Sequence, residues 1–266
     1  MELENFKFNK NFGQNFLRDK NLLNAIVRDS GITEKDEALE IGTGAGTLTE
    51  AIAKVAKMVV SYEIDKKLTE FLTEKFAGIQ NVKIKIQDAL KTKIEEIEKD
   101  FSGHYYLIAN LPYYITTPLI FKFLEDTNRA KVITIMVQKE VAEKAVAKAG
   151  SSNYGILSVM LNYYCTTQIT RIVKRDMFVP RPKVDSAILR LERRMDVKFD
   201  QSFSNFVSGC FAMKRKTLSN NLLKQNYSKE QIEKALSKCQ ISQTARAETL
   251  TVEQFQQLYQ KLVTNW

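Results

Sequence analysis

The chain has 266 residues, of which 44% are hydrophobic and 27% charged, as is typical of a globular protein. No apolar run is long enough to cross a bilayer, and only three cysteines and one histidine are present, which excludes a disulfide scaffold and a Cys/His zinc cluster. Lys and Arg exceed Asp and Glu by nine, and the whole excess lies in residues 151–266, so a nucleic acid is the favoured partner and a basic surface without a partner is the alternative.

Strands and helices alternate over residues 1–138. At this spacing the alternation predicts a mostly parallel sheet with helices on both faces, which is an α/β fold. The first predicted element is a helix capped by Asp19, with Leu22, Leu23, Ile26 and Val27 on one stripe. It is followed by a strand Ala38–Ile41, a helix with Leu48, Ile52 and Val55 on one face, a strand Met58–Glu63, and a helix through Leu68, Phe71 and Leu72. Three further strands are predicted at Val82–Ile86, Tyr105–Ala109 and Val132–Val137.

The last quarter of the chain has a different pattern. From Phe199 onward the sequence contains no convincing strand, and two capping boxes, Ser228 with Gln231 and Thr251 with Gln254, predict helices. We therefore expect an α/β domain over residues 1–197 and a small all-helical domain over residues 198–266.

Glycines are concentrated between the first predicted strand and the helix after it, in Gly42–Gly46. Gly42 and Gly44 let the backbone approach a ligand closely at the carboxyl edge of a parallel sheet. A pyrophosphate-binding turn fits poorly, because Thr47 stands where the third glycine of the dinucleotide fingerprint belongs. A tight strand–helix connection without a ligand remains the alternative.

Two carboxylates at the ends of the next strands sharpen this interpretation. Glu63 ends the second strand, where a carboxylate can accept hydrogen bonds from both hydroxyls of a ribose, and Asp88 follows the third strand, where it could accept from an adenine amine. Either acid alone could be a solvated loop residue. Together with the glycines they predict an adenosine site, and adenosine without pyrophosphate suggests S-adenosylmethionine.

The fourth strand ends in Asn110-Leu111-Pro112-Tyr113, of the form found in enzymes that methylate exocyclic amines. The lone pair of an adenine amine is delocalised into the ring, so the nitrogen is a weak nucleophile. The Asn110 side-chain oxygen and the Leu111 carbonyl could accept its two N–H bonds, while Pro112 stiffens the turn and Tyr113 stacks on the base. This chemistry needs neither a metal nor a histidine. A proline turn with core tyrosines is the alternative.

Phe178 lies in a third distinctive segment, which is basic and stiffened by Pro180 and Pro182. Burial is harder in such a loop, so Phe178 could cover the second face of a flipped base, opposite Tyr113. Its alternative role is that of a core residue.

Taken together, these segments resemble the KsgA-type small-subunit ribosomal RNA adenine dimethyltransferases. The resemblance extends over nearly the whole chain, and its matching segments are Gln14–Leu17, Glu40–Gly46, Glu63, Asp88, Asn110–Tyr114 with Thr117–Pro118, Phe178–Ser186, Lys214–Leu218 and Arg246–Leu250.

This resemblance implies a Rossmann-like S-adenosylmethionine-dependent methyltransferase domain followed by a helical domain that binds rRNA. It implies dimethylation of the N6 amines of two adjacent adenosines in a hairpin near the 3′ end of small-subunit rRNA, within an immature 30S particle. By motif position, the target adenine would be held by Asn110, Leu111 and Tyr113, with Phe178 stacked on it. The residues implied to contact the cofactor are Asn15, Leu17, Gly42, Gly44, Glu63, Asp88 and Asn110.

Two other functions remain open. A methyltransferase of large-subunit rRNA that confers macrolide resistance would share the fold, the cofactor and the Asn110 motif, although Asp185 and the segment Arg246–Leu250 favour the small-subunit type. Some relatives of this fold serve as binding proteins in transcription or assembly, but the intact Asn110 motif argues for activity.

The basic excess has a local centre between Arg171 and Lys216. There we expect contacts with rRNA phosphates, so that binding should weaken steeply with salt. We also expect a monomer that holds no metal. We expect it in the reducing cytoplasm, because Met1–Glu4 lacks the features of a secretory signal. The residues predicted to contact phosphates are Arg181, Lys183, Lys214, Arg215 and Lys216.

Overall fold

A computed structural model describes residues 16–17 and 19–263. The described residues form nine strands and eleven α-helices. The strands are β1 (Phe16–Leu17), β2 (Glu37–Ile41), β3 (Met58–Glu63), β4 (Val82–Ile86), β5 (Tyr105–Asn110), β6 (Ala130–Gln138), β7 (Cys165–Val173), β8 (Phe178–Val179) and β9 (Ser186–Arg193). The helices are α1 (Lys20–Ser30), α2 (Thr47–Ala53), α3 (Thr69–Lys75), α4 (Ile94–Glu98), α5 (Tyr113–Glu125), α6 (Lys139–Ala145), α7 (Ile156–Tyr164), α8 (Gln201–Cys210), α9 (Leu218–Lys224), α10 (Lys229–Lys238) and α11 (Val252–Leu262).

Seven strands form one mixed sheet in the order β4-β3-β2-β5-β6-β9-β7. Strands β2 to β6 pair in parallel, whereas β9 pairs antiparallel with β6, from Val132 opposite Glu192 to Gln138 opposite Ser186. The chain leaves β2 toward β3 on one side and returns to β5 on the other. Connections on either side of such a switch point diverge, so the carboxyl ends of β2 and β5 border a crevice.

Local chemistry explains where the main helices begin. The Asp19 carboxylate accepts a hydrogen bond from the amide of Asn21 at 2.8 Å, so it caps α1 as predicted. Both predicted capping boxes are present as well: Ser228 and Gln231 open α10, and Thr251 and Gln254 open α11.

The prediction that Val55 shares one face of α2 with Leu48 and Ile52 is wrong. The helix ends at Ala53, and Val55 lies beyond it with 39% of its surface exposed. The side-chain amide of Asn81 donates to the carbonyl oxygens of Ala53 and Ala56 at 2.8 and 3.2 Å. These bonds satisfy carbonyl groups at the helix end and let the chain turn early into β3.

Backbone contacts divide the chain into two compact units. One holds residues up to Ala142 together with Gln168–Met195, and contains the sheet crevice; the other holds Glu143–Thr167 and the residues from Asp196 onward. In the second unit, residues 196–263 contain no strand, as their sequence predicts. The division into domains at residues 197 and 198 stays a prediction, since these contacts group residues 143–167 with the helical tail.

Candidate active site

The glycine turn lies between β2 and α2, at the switch point of the sheet. Gly42, Gly44 and Gly46 all have left-handed backbone conformations, with φ of 86°, 53° and 74°. At Gly46 a Cβ atom would lie 2.7 Å from the Phe76 ring, so no larger residue fits without movement. The turn therefore needs glycine for both conformation and space.

Glu63 holds this turn in place from the end of β3. It is 3% exposed; its Oε2 accepts from the amide of Gly44 at 2.7 Å, and its Oε1 accepts from the amide of Asp65 at 2.8 Å. Each carboxylate oxygen has a second lone pair, so Glu63 can accept two further hydrogen bonds from a ligand.

A second acid, Glu40, lies fully buried beneath the turn. Its Oε2 accepts from the hydroxyls of Thr49 and Ser61 at 2.5 and 2.7 Å, and the Ser61 hydroxyl is also 2.6 Å from that of Thr43 in the turn. Burial raises the pKa of Glu40 to about 8, and the charge of Glu63 acts in the same direction. Sequence reasoning gave Glu40 no role, although a carboxylate inside the otherwise apolar Ala38–Ile41 was a visible signal.

Asp88 borders the same crevice after β4. Its Oδ1 accepts from the amide of Leu90 at 3.0 Å, which fixes the carboxylate in a local turn. Lys91 lies 3.7 Å away but is almost fully exposed, so this ion pair contributes little. The predicted convergence of Glu63 and Asp88 at the ends of successive strands is present in the structure.

The Asn110 segment closes the crevice from β5. Asn110 ends the strand, Leu111 is buried, and Pro112 occupies the N-cap of α5 with φ of −55°. A Cβ at Gly42 would lie 3.7 Å from the carbonyl oxygen of Asn110 and 3.6 Å from the Leu111 side chain, so the two turns meet. The resulting cavity of about 260 Å³ is lined by residues that include Gly42, Gly44, Glu63, Asp88, Asn110, Leu111 and Pro112.

The two tyrosines after Pro112 have different environments. The Tyr113 hydroxyl is 2.7 Å from that of Ser186 on β9, and burial raises its pKa. Tyr114 is 66% exposed and lines the cavity. Sequence reasoning missed Tyr114 as a cavity residue, along with Ile64 and Leu90, because an apolar residue next to a motif has no distinct signal of its own.

Phe178 is buried, contrary to the expectation that its basic loop would hinder burial. It is 3% exposed and belongs to a core cluster with Leu23 and Ile26. Its backbone pairs in β8 with the backbone of Leu17 in β1, a long-range pairing that the loop composition did not reveal. Stacking of Phe178 on a base stays a prediction. Asn15 lies outside the described residues.

The residues predicted to contact RNA are exposed but lie in separate parts of the chain. Arg181 pairs with Asp176 at 2.5 Å, and Lys183 lies in the same loop before β9. The other cluster, Lys214, Arg215 and Lys216, occupies the turn between α8 and α9 in the second unit. Their contact with RNA stays a prediction.

Comparison with known proteins shows the family to which the chain belongs. A family model described as ribosomal RNA adenine dimethylase matches residues 5–263. The chain belongs to the ribosomal RNA adenine dimethylase family. The predicted resemblance is thereby confirmed, and with it the assignment of the chain as an rRNA adenine dimethyltransferase.

Individual members of the dimethylase family agree with this placement. The chain is 45% identical over 258 residues to ribosomal RNA small subunit methyltransferase A of Caldanaerobacter subterraneus subsp. tengcongensis, covering 95% of this chain and 96% of the relative. It is 42% identical over 258 residues to the protein of that name from Clostridioides difficile, covering 94% of this chain and 89% of the relative.

Two solved structures share the architecture of this chain. A dimethyladenosine transferase from Plasmodium falciparum superposes with a TM-score of 0.79 at 28% identity, covering 91% of this chain and 95% of that one. The 23S rRNA methyltransferase ErmE superposes with a TM-score of 0.73 at 29% identity, covering 93% of this chain and 99% of that one. The predicted Rossmann-like methyltransferase fold with a helical C-terminal region is confirmed.

The described residues contain neither a candidate membrane span nor a candidate metal cluster. No helix among them is long and apolar enough to traverse a bilayer. No group of three or more His, Cys, Asp or Glu side chains within the described part of the chain could hold a metal ion.

Proposed function

We propose that this protein uses S-adenosylmethionine to dimethylate the N6 amines of two adjacent adenosines in a hairpin near the 3′ end of small-subunit rRNA. The observation that carries the proposal is the meeting of two turns at one crevice: the Gly42–Gly46 turn with its acids, and the Asn110–Pro112 turn with its oxygen acceptors.

The residues around the glycine turn fit the adenosyl half of this donor. Glu63 is fixed by the amides of Gly44 and Asp65 and keeps two lone pairs, which suits the two hydroxyls of a ribose. Asp88 faces the same cavity and could accept from the adenine amine. Gly42 and Gly44 leave room for close approach, and by family motif Asn15 and Leu17 would add contacts. When bound, the donor supplies a methyl group on a sulfonium cation.

The Asn110 turn fits the acceptor amine. The side-chain oxygen of Asn110 and the carbonyl oxygen of Leu111 would accept hydrogen bonds from the two N–H groups of N6. These bonds would turn the nitrogen lone pair toward the methyl group. Pro112 fixes the backbone where both acceptors are presented. Tyr113 is oriented through its contact with Ser186, and its ring would stack on the base. The reaction disperses positive charge, which oxygen acceptors and aromatic faces stabilise.

The substrate is small-subunit rather than large-subunit rRNA. Relatives whose names specify the small subunit are 39% to 45% identical, whereas the enzyme whose name specifies 23S rRNA is 29% identical. Methylation of 23S rRNA, which would confer macrolide resistance, is therefore the less supported alternative. We place the protein in the cytoplasm as a monomer acting on an immature 30S particle, with Arg181, Lys183 and Lys214–Lys216 on rRNA phosphates.

Transfer of tritiated methyl groups tests this proposal. Small and large ribosomal subunits would be isolated from cells that lack the modification and incubated with the protein and labelled donor. We expect label in small subunits as dimethyladenosine, at up to about four methyl groups per particle if two adenosines each accept two. Label confined to large subunits, or macrolide resistance in cells expressing the protein, would overturn the assignment. Binding to small subunits without transfer would favour a purely structural assembly role.

A further inference from the structure

The turn between α8 and α9 carries three adjacent cations, and we call residues 213–217 the basic turn. Lys214, Arg215 and Lys216 are exposed, and none of them forms an ion pair with a carboxylate among the described residues. Adjacent like charges repel one another, so charge alone would spread this turn. Its shape must be held by groups other than the cations.

A buried amide provides that support. Asn221, on α9, is 2% exposed. Its Oδ1 accepts from the backbone amide of Met213 at 2.8 Å, while its Nδ2 donates to the carbonyl oxygens of Met213 and Thr217 at 3.3 Å each. This single side chain therefore bridges the two ends of the basic turn.

The chemistry of the site requires an amide. The side chain must accept from an N–H and donate to two carbonyl groups at once, which a carboxylate, a hydrocarbon or an ammonium group cannot do. Neighbouring bonds anchor the same backbone: the amide of Lys216 donates to the Met213 carbonyl at 3.0 Å, and the amide of Leu218 donates to the carbonyl of Ala245 at 2.8 Å. The backbone is thus fixed while the three cationic side chains point outward into solvent.

We propose that Asn221 is a positioning residue for rRNA, which holds the basic turn in the shape in which Lys214, Arg215 and Lys216 meet phosphates. The inference rests on the proposed function, specifically on contact between these cations and rRNA. Asn221 is buried and does not itself touch the RNA. It acts by preorganisation, because ordering a charged loop at the moment of binding would cost conformational entropy.

Binding of the full-length protein to small subunits from cells lacking the modification, measured over a series of salt concentrations, tests this role. Asn221→Ala should weaken binding about tenfold and reduce the steepness of the salt dependence, since fewer phosphates are engaged. Its affinity for S-adenosylmethionine should be unchanged. A merely destabilised protein would lower the active fraction without changing the salt slope.

Two control variants lie in the same unit. Asn205→Ala removes an exposed amide from α8 that contacts Gln201 and not the basic turn, and it should bind RNA like the unmodified protein. Ile232 is buried on α10, and either Ile232→Val or Ile232→Ala, whichever matches Asn221→Ala in unfolding midpoint, should retain RNA affinity. Equal loss of RNA affinity in the matched Ile232 variant would overturn the inference.

A double-mutant cycle separates this inference from the function on which it rests. In a Lys214→Ala, Arg215→Ala, Lys216→Ala background, Asn221→Ala should change RNA affinity by less than about twofold, because the cations it positions are gone. A full tenfold further loss would show that Asn221 acts elsewhere. If the triple variant binds RNA normally, the basic turn is not an rRNA contact and the inference fails with it, while methyl transfer still tests the proposed reaction on its own.

Discussion

The backbone amide of Gly44 donates to the Glu63 carboxylate at 2.7 Å, across the space between the ends of β2 and β3. This bond joins the glycine turn to the acid that we assign to the donor ribose. A ligand on Glu63 therefore meets a carboxylate whose position is fixed by the backbone of the glycine turn.

Replacing the acid should therefore weaken donor binding more than folding. Glu63→Gln keeps the volume but loses the charged acceptor, and hydrogen bonds to charged groups contribute about 1.5–3 kcal/mol each. We expect the dissociation constant for S-adenosylmethionine to rise at least about tenfold by calorimetry. Glu70→Gln, an exposed acid on α3, is the matched control and should bind normally. Unchanged affinity in Glu63→Gln would remove Glu63 from the donor site.

The glycine turn should not tolerate a methyl group at Gly46. Gly46→Ala combines a left-handed conformation, which costs about 1–2 kcal/mol, with a clash against Phe76, which adds about 1–3 kcal/mol. Gly78→Ala is the control, since Gly78 has φ of 83° but nothing within 4 Å of the added atom. Denaturant unfolding should show the larger loss for Gly46→Ala, and equal losses would mean that Phe76 gives way.

Stability should fall as the pH rises from about 5 to about 8 because of Glu40. Its pKa is raised to about 8 in the folded protein from an ordinary value of 4.5, so the folded state binds the proton more tightly and loses this advantage as the acid ionises. Glu40→Gln cannot ionise, so its unfolding free energy should vary less over this range. Parallel curves for the two proteins would show that Glu40 is charged in the fold.

Asn110 should matter for methyl transfer more than for folding. Asn110→Ala removes the side-chain acceptor for the N6 amine, and loss of one preorganised group that acts on the transition state costs about 10²–10³ in rate. Single-turnover transfer to small subunits measures this directly. A rate close to that of the unmodified protein would refute the role of Asn110 as an acceptor.

Phe178 allows its two candidate roles to be separated. Phe178→Leu preserves apolar burial, so we expect a stability loss of about 1 kcal/mol. If Phe178 also stacks on the flipped base, the same variant should lower methyl transfer several-fold, because base–aromatic stacking contributes about 1–3 kcal/mol. Normal transfer with reduced stability would leave Phe178 a core residue only.

Much of the first unit could be predicted from local patterns. Met58–Glu63 and Val82–Ile86 form the strands that their sequences predict, because a mostly apolar short run and an alternation of apolar and polar residues are both local signals of a strand. The antiparallel pairing of β9 with β6 joins segments about fifty residues apart and leaves no periodic signal in either.

Side-chain networks were harder to predict than the strands that carry them. The bond between Tyr113 and Ser186 and the burial of Phe178 in the cluster with Leu23 and Ile26 both depend on long-range packing. The buried bridge made by Asn221 was equally hidden, since an asparagine in a polar segment looks solvated until the turn before it is folded over its side chain.

A structure of the protein bound to S-adenosylhomocysteine and an adenosine-containing rRNA hairpin tests the central claim most directly. We predict that N6 of the flipped adenine lies within 3.2 Å of both the Asn110 side-chain oxygen and the Leu111 carbonyl oxygen, with Glu63 on the ribose of the donor product. An adenine held elsewhere, or Asn110 turned away from N6 with both ligands bound, would contradict the account.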